Sequence, residues 1–193
     1  FSGDGSPAIS ASLNTPEAIT LEGAGNLFIA DSLNSRVRRV DAITGLITTV
    51  AGNGSYSFSG DGMSATLASL NQPGGVAVDS KGNVFIADTE NHRIRKVDPQ
   101  TGVITTIAGN GVSGFLGDGG QATQARLSRP KGLVIDQNGN LLITDTFNFR
   151  IRQVDLSTNL ISTIAGNGQS RFNLDNIPAT DASLNFPNSI AVD

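Results

Sequence analysis

The chain has 193 residues, of which 38% are hydrophobic, 16% are charged and 23 are glycine, and its formal net charge at pH 7 is −4. Because there is no cysteine, disulfides, thiol chemistry and a zinc ribbon are excluded, and the negative net charge argues against broad binding to nucleic acid or an anionic membrane. No apolar run reaches membrane-spanning length and no charged leader precedes an apolar segment, so we expect neither a membrane span nor a signal peptide in this chain.

A 16-residue stretch occurs three times, at 26–41, 83–98 and 140–155, and each copy is displaced from the previous one by 57 residues without insertion. Each copy has an apolar run of strand length followed by an alternation of charged and branched residues, which predicts a hairpin of two short strands. In the first copy, Asn34 lies in the connection and is the residue that we expect to take the left-handed backbone conformation.

The full repeat predicts four strands, which in the second copy cover 74–79, 84–88, 93–98 and 103–108. Short Gly-containing turns separate them, so neighbouring strands should be antiparallel. The middle strands are apolar on both faces, which requires a small sheet covered on both sides. Blades packed face to face around an axis supply that cover, so the sequence predicts an all-β fold, a β-propeller of four-stranded antiparallel blades.

The long connection between repeats has its own pattern. Its second half carries A-x-x-A-x-L before a proline, and these spacings predict one or two helical turns on the sheet edge. A loop of about 20 residues in every repeat needs packing of its own. We expect the phenylalanines and leucines that recur in phase to fix it, among them Phe1, Phe58 and Phe115.

The chain resembles the NHL repeat family in its bacterial form, which carries G-D-G-x-x-A-x-x-A-x-L before the proline. The second copy shows the signature in P-G-G-V-A-V-D at 73–79, A-D-T at 87–89 and R-I-R-K-V-D at 93–98. The resemblance covers essentially the whole chain and implies a β-propeller, often of six blades, whose members mostly bind proteins, RNA or small ligands and only occasionally catalyse. The copies depart from the pattern at Glu22, at Asn159 and at 174–176, and none of these changes alters the expected fold.

Dividing the length by the repeat predicts a single propeller segment over 1–193, with blades at about 17–51, 74–108 and 131–165 and the inner strand of a fourth blade at 188–193. Propellers close with four to eight blades, so three cannot form a ring alone. The sequence therefore favours a segment of a longer propeller, for which the resemblance implies six blades. The alternative is self-association through open blade edges.

Several repeated charged residues invite a functional interpretation. The pairs that flank each hairpin could form a charged ligand cradle, but residues identical in every blade favour a structural role in which Asp and Arg pair across the turn or between blades. The pairs are Asp31/Arg36, Asp88/Arg93 and Asp145/Arg150. The carboxylates of Asp4, Asp61, Asp118 and Asp175 are weak candidates for Ca²⁺ ligands, although capping of a local turn is the commoner role of such residues. We expect no metal and no cofactor.

Positions that vary between the copies should report on specificity. One hairpin position holds Leu33, Glu90 and Phe147, another holds Ser35, His92 and Phe149, and Tyr56 lies in the long loop. Tyr56, Phe147 and Phe149 are either exposed anchors for a partner or buried packing residues. We expect the hairpins and the long loops to emerge on one face of the ring, and function to lie there.

The sequence therefore predicts a non-enzymatic recognition scaffold that binds a protein or a glycan. Composition, with few lysines and many small polar residues, favours an extracellular or cell-surface location. An enzyme of the lyase or lactonase type is the alternative, but His92 is the sole histidine, so its active site would lie in blades outside this chain. RNA binding is a third alternative, because the third strands hold 8 of the 13 basic residues, but the acidic total argues against nucleic acid as a partner.

Overall fold

The computed structural model describes residues 1–193 and contains three four-stranded antiparallel sheets, each in the order of the chain. The first blade consists of β1 (Pro16–Leu21), β2 (Leu27–Asp31), β3 (Arg36–Val40) and β4 (Ile47–Ala51). The second consists of β5 (Gly75–Val78), β6 (Val84–Asp88), β7 (Arg93–Val97) and β8 (Ile104–Ala108). The third consists of β9 (Pro130–Ile135), β10 (Leu141–Asp145), β11 (Arg150–Asp155) and β12 (Leu160–Ala165). The predicted all-β fold with three blades is confirmed.

Helical structure is confined to single 3-10 turns at Ala8–Ser10, Ser32–Asn34, Thr89–Asn91, Ala122–Gln124 and Thr146–Asn148. The helical turns expected from A-x-x-A-x-L are thus shorter than predicted. The first and third copies contain a single 3-10 turn, and the second contains a hydrogen-bonded turn without helix. None of these helices has the length or the apolar content to cross a lipid bilayer.

The core lies between the blades rather than inside any one of them. Phe85 and Ile86 are adjacent on β6, and both side chains are buried, one against the third blade and the other against the first. Every residue of β6 is buried in this way, which explains why the sequence of that strand shows no polar face. The expectation that each sheet is covered on both sides holds for the middle blade.

The long loop packs between neighbouring blades. Ala65, Ala68 and Leu70 are buried between the first and second blades, and Ala122, Ala125 and Leu127 occupy the same positions between the second and third. Its middle also pairs with the outer strand of the blade that follows, since Gly62 donates to Ile104 O at 2.8 Å and Ile104 donates back to Met63 O at 3.0 Å. The loops therefore begin and end beside the hairpins, as predicted, but their middles cross the outer rim and cover the edge of β4, β8 and β12.

The hairpin connection differs from the expectation in one detail. The left-handed residue is not Asn34 but the one after it, Ser35, with φ of 48°, and His92 and Phe149 in the other blades have φ of 54°. Asn34 instead donates its amide to both oxygens of Asp31 at 3.0 and 2.9 Å. The side-chain bond closes the turn, so the positive φ falls one residue later.

The segment 188–193, predicted as the inner strand of a fourth blade, is not a strand in the structure, because no second strand of that blade is present to pair with it. It nevertheless lies where such a strand belongs. A Cβ atom placed on Gly132 would lie 2.9 Å from Asn188 O, and one placed on Gly75 would lie 1.8 Å from Lys131 O. Glycine at these positions lets successive inner segments approach closely around the axis.

Candidate functional site

Each blade contains one fully buried arginine held by two carboxylates. In the second blade, Arg95 lies 2.8 Å from Asp61 Oδ1 and 3.3 Å from Asp88 Oδ2, and its side chain is 0% exposed. The same arrangement joins Arg38 to Asp4 and Asp31, and Arg152 to Asp118 and Asp145. A buried cation with two paired anions in every repeat is an architectural element.

This geometry corrects the predicted pairing of Asp88 with Arg93. The two residues face each other in the strand register, but the guanidinium of Arg93 donates to the carbonyl oxygens of Asn91 and Asn110 at 3.2 and 2.8 Å. Asp88 is bound by Arg95, which lies two residues further along the same strand face. Asp31/Arg36 and Asp145/Arg150 follow the same pattern, so none of the three pairs is open to a ligand as a cradle.

Three of the four carboxylates considered as Ca²⁺ ligands, those of Asp4, Asp61 and Asp118, are the outer partners of these arginines. Asp4, Asp61 and Asp118 each have a guanidinium nitrogen at 2.7 to 2.8 Å, which places a positive charge where a calcium ion would have to bind. No group of three or more His, Cys, Asp or Glu side chains converges anywhere in residues 1–193. The residues present therefore do not fit a Ca²⁺ site, which needs six to eight oxygen ligands.

The recurring phenylalanines cover the arginines from outside. The ring centroid of Phe58 lies 3.8 Å from Arg93 Cζ and 4.8 Å from Arg95 Cζ, and Phe1 and Phe115 make the same contacts in their blades. Such stacking supplements the ion pairs. Six of the eight basic residues on the third strands are thus buried or stacked, so the basic surface on which RNA binding was considered does not exist as a continuous face.

The variable hairpin residues come together around a residue that the sequence did not single out. Arg129, which precedes Pro130, donates from Nε to Glu90 Oε2 at 3.1 Å, and its backbone N–H donates to Nδ1 of His92 at 3.2 Å. Its guanidinium carbon also lies 4.9 Å from the ring centroid of Phe147 in the next blade. Arg129 therefore links the hairpins of the second and third blades.

Phe186, which occupies the position of Arg129 in the next repeat, continues this surface. Phe186 packs edge-to-face on Phe147 and Phe149, with ring centroids 5.2 and 4.9 Å apart. Phe147 and Phe186 remain 42% and 44% exposed. We call the continuous surface the hairpin-face strip; it consists of Glu90, His92, Arg129, Phe147, Phe149 and Phe186.

The structure brings four of the five predicted binding residues into this strip and leaves one outside it. Tyr56 packs against the first blade, where its hydroxyl donates to Leu33 O and its ring is 54% exposed. The missed members, Arg129 and Phe186, occupy the position before the proline, which holds Thr15 and Gln72 in the earlier copies. Variation at that position was a usable signal, and all four residues have positive φ, between 44° and 50°.

His92 makes the strip sensitive to pH. Burial lowers the pKa of His92. The negative charge of Glu90 acts to raise this pKa, whereas the positive charges of Arg129 and Arg93 lower it further. The neutral ring accepts a hydrogen bond from the backbone N–H of Arg129. Since the folded state binds the proton more weakly than the unfolded state, His92 contributes stability above its ordinary pKa of 6.5 that is lost as the pH falls toward the lowered value.

We therefore expect the free energy of unfolding of the natural chain, relative to that of a His92→Asn variant, to decline between pH 7.5 and 5.5. Asparagine tolerates the left-handed backbone at this position. Using the difference between the two proteins removes the contributions of Asp88 and Asp145, whose pKa values burial raises to about 6 and which act in the opposite direction. Urea titrations across this pH range measure it, and a pH-independent difference would contradict the assignment.

With this geometry established, comparison with known proteins places the fold. A family model described as the Teneurin NHL domain matches residues 54–114 and 110–193. The chain belongs to the NHL-repeat family. It is 37% identical over 163 residues to Protein SUPPRESSOR OF QUENCHING 1, chloroplastic, of Arabidopsis thaliana, which covers 80% of this chain and 15% of that protein. It is 36% identical over 146 residues to human NHL repeat-containing protein 2, which covers 72% of this chain and 20% of that protein.

Among solved structures, a Bacteroides thetaiotaomicron protein of unknown function aligns with 91% of this chain and 42% of its own, at a TM-score of 0.68 and 22% identity. At that identity the likeness concerns the fold alone. This NHL chain spans no more than a fifth of the length of the two named relatives. The resemblance predicted from the repeated motifs is thus confirmed at the level of the family and the propeller architecture.

Proposed function

We propose that this NHL chain is a non-catalytic recognition module that binds a protein partner through the hairpin-face strip. The observation that carries the proposal is the convergence of Glu90, His92 and Arg129 with the phenylalanine cluster across two blades. These are positions at which the repeats differ, while the scaffold beneath them is the same in each blade. A repeat protein acquires specificity at surface positions whose residues differ between repeats while the framework stays constant.

The composition of the strip suits a protein interface. Aromatic residues and arginine are enriched among the residues that dominate binding energy, and charged residues at the rim add specificity. The strip is also preorganised, because Arg129 is tied at both its backbone and its side chain and the hairpins rest on the buried Arg95 and Arg152. Preorganisation lowers the entropy lost on binding.

Neither alternative has comparable support. The basic residues that favoured RNA binding are largely internal, and the lyase or lactonase alternative places its active site in blades outside this chain, so it draws no support from the residues present here. An extracellular or cell-surface location stays a prediction from composition.

Affinity capture from an extract of the source organism, followed by binding measurements with the purified partner, tests the proposal. We expect an Arg129→Ala/Phe147→Ala variant to weaken binding by about 2 kcal/mol or more. A control variant on the opposite face, Lys81→Ala/Gln137→Ala, should bind the same protein as well as the natural chain. Equal retention by both variants would overturn the role of the strip, and glycan-array binding lost in the first variant alone would identify a glycan as the partner instead.

A further inference from the structure

We infer that a groove between the second and third blades, on the face opposite the hairpins, is a binding site for a neutral saccharide. The groove has a volume of about 720 Å³ and lies between the β5–β6 turn and β7 on one side and the β9–β10 and β11–β12 turns on the other. This volume is in the range of small-molecule sites and would admit on the order of one or two pyranose rings. The inference is independent of the hairpin-face strip.

The charges in the groove balance, which favours an uncharged ligand. Two carboxylates, Asp79 and Asp136, face two ammonium groups, those of Lys81 and Lys96. The carboxylates are engaged within their own turns: Asp79 accepts from Lys81 N, Asn83 N and Asn83 Nδ2 at 2.7 to 2.9 Å. Asp136 is held in the same way by its own turn. Neither an anion nor a cation would therefore find a dominant counter-charge.

The polar groups of the groove that have no hydrogen-bond partner within the protein suit the hydroxyls of a sugar, which both donate and accept hydrogen bonds. Ser80, Asn138 and Asn159 line the groove, and the hydrogen bonds that Asn138 and Asn159 make within the protein use their backbone groups, which leaves their side-chain amides free. Gln137 donates its amide nitrogen to Asp193 O at 2.7 Å, which leaves its oxygen free to accept. The groove also contains the apolar side chains of Ile107, Ile135 and Leu156, against which the C–H face of a pyranose ring can pack.

The repeat supplies an internal comparison. The corresponding positions between the first and second blades hold Gly23 and Ala24 in place of Ser80 and Lys81, and Gly102 in place of Asn159. At the first junction, Ser80, Lys81 and Gly102 take the positions of Gln137, Asn138 and Asn159, and Gln100 takes that of Ser157. The set of three amides is therefore particular to the junction between the second and third blades.

Asn159 carries the most specific signal. It has φ of 60° where Gly45 and Gly102 have φ of 67° and 66°, so a side chain has been placed at a backbone position that favours glycine. Its side-chain amide makes no hydrogen bond within the protein, and the residue lines the groove. Asparagine adopts this left-handed conformation readily, so the replacement of glycine adds a polar side chain to the groove at little backbone cost.

The test uses a panel of neutral sugars, with glucose, galactose, mannose, N-acetylglucosamine, maltose, cellobiose and lactose as probes, and glucuronate and glucosamine as charged comparisons. Saturation-transfer NMR at millimolar concentrations and calorimetry measure binding to the full chain. We expect a neutral sugar to bind and a Gln137→Gly/Asn138→Ala/Asn159→Gly variant to lose about tenfold or more in affinity. The melting temperature of the variant confirms that it folds.

The matched control is Gln100→Ala, which removes an exposed amide on the same face that does not line the groove, and this variant should bind the sugar as the natural chain does. Three results would each overturn the inference: no saturation transfer from any neutral sugar, undiminished affinity in the folded triple variant, or a preference for a charged sugar. Loss of protein binding in the hairpin-face variants, by contrast, leaves this site unaffected, so the two proposals fail separately.

Discussion

Replacing Arg95 by alanine is expected to destabilise the protein by about 3 to 5 kcal/mol, because the change leaves two carboxylates facing a buried position without their cation. Arg95 is fully buried and bonds Asp61 at 2.8 Å, Asp88 at 3.3 Å and the carbonyl oxygen of Ser59 at 3.1 Å. Urea unfolding at pH 8 measures the loss.

The pH dependence of this loss identifies its cause. Burial raises the pKa of Asp88 to about 6 even though Asn71, Asn91 and Arg95 donate to it, so Asp88 becomes protonated as the pH falls to 5. The penalty of Arg95→Ala should therefore be smaller at pH 5 than at pH 8.

Arg39→Ala is the matched control, since Arg39 forms a surface ion pair with Asp41 at 3.0 Å and is 34% exposed. We expect it to cost less than about 1 kcal/mol. Similar losses for the two variants would show that the buried arginine is not the anchor of its blade.

Replacing Gly109 by alanine should cost about 2 to 5 kcal/mol. Gly109 follows β8 with φ of 83°, and a Cβ atom there would lie 2.3 Å from His92 O and 3.1 Å from Arg93 Cα. Since neither atom belongs to a flexible side chain, the hairpin and the end of β8 would have to separate. Thermal and urea unfolding measure the loss.

Gly102→Ala separates this clash from the conformational preference of glycine. Gly102 also has a positive φ, 66°, but no atom lies within 4 Å of an added Cβ. We expect a loss of about 1 to 2 kcal/mol, and the occurrence of Asn159 at the same position shows that the fold accepts a side chain there. If the two variants were equally destabilised, close approach would not be the reason for glycine at position 109.

The fold was predictable because each blade repeats the same local information. Turn glycines, strand-length apolar runs and a constant 57-residue spacing agree in all copies, so the order of strands and the burial of Phe85 and Ile86 followed from the sequence. The position of the left-handed hairpin residue did not, because the bond from Asn34 to Asp31 transfers that conformation to Ser35.

The candidate site was only partly predictable. The candidate residues Glu90, His92, Phe147 and Phe149 could be found because they vary between aligned copies. Their connection through Arg129 depends on a contact between residues 39 positions apart in neighbouring blades, and periodicity within one repeat carries no information about such contacts. The partner of Asp88 does not follow from the sequence for a different reason: Arg93 faces Asp88 in the strand register, but Arg95, two residues further along the same strand face, is the residue that bonds it.

The long loop has a consequence for how the chain is synthesised. The segment that shields the rim of a blade is encoded before that blade, since residues 62–65 bond to Gly102 and Ile104. As the nascent polypeptide leaves the ribosome, the outer strand of each new blade can thus pair with a loop segment that has already emerged. In this order of synthesis, the outer strand edge of each blade is covered when the blade forms, so it is not left unpaired beside neighbouring nascent chains on the polysome.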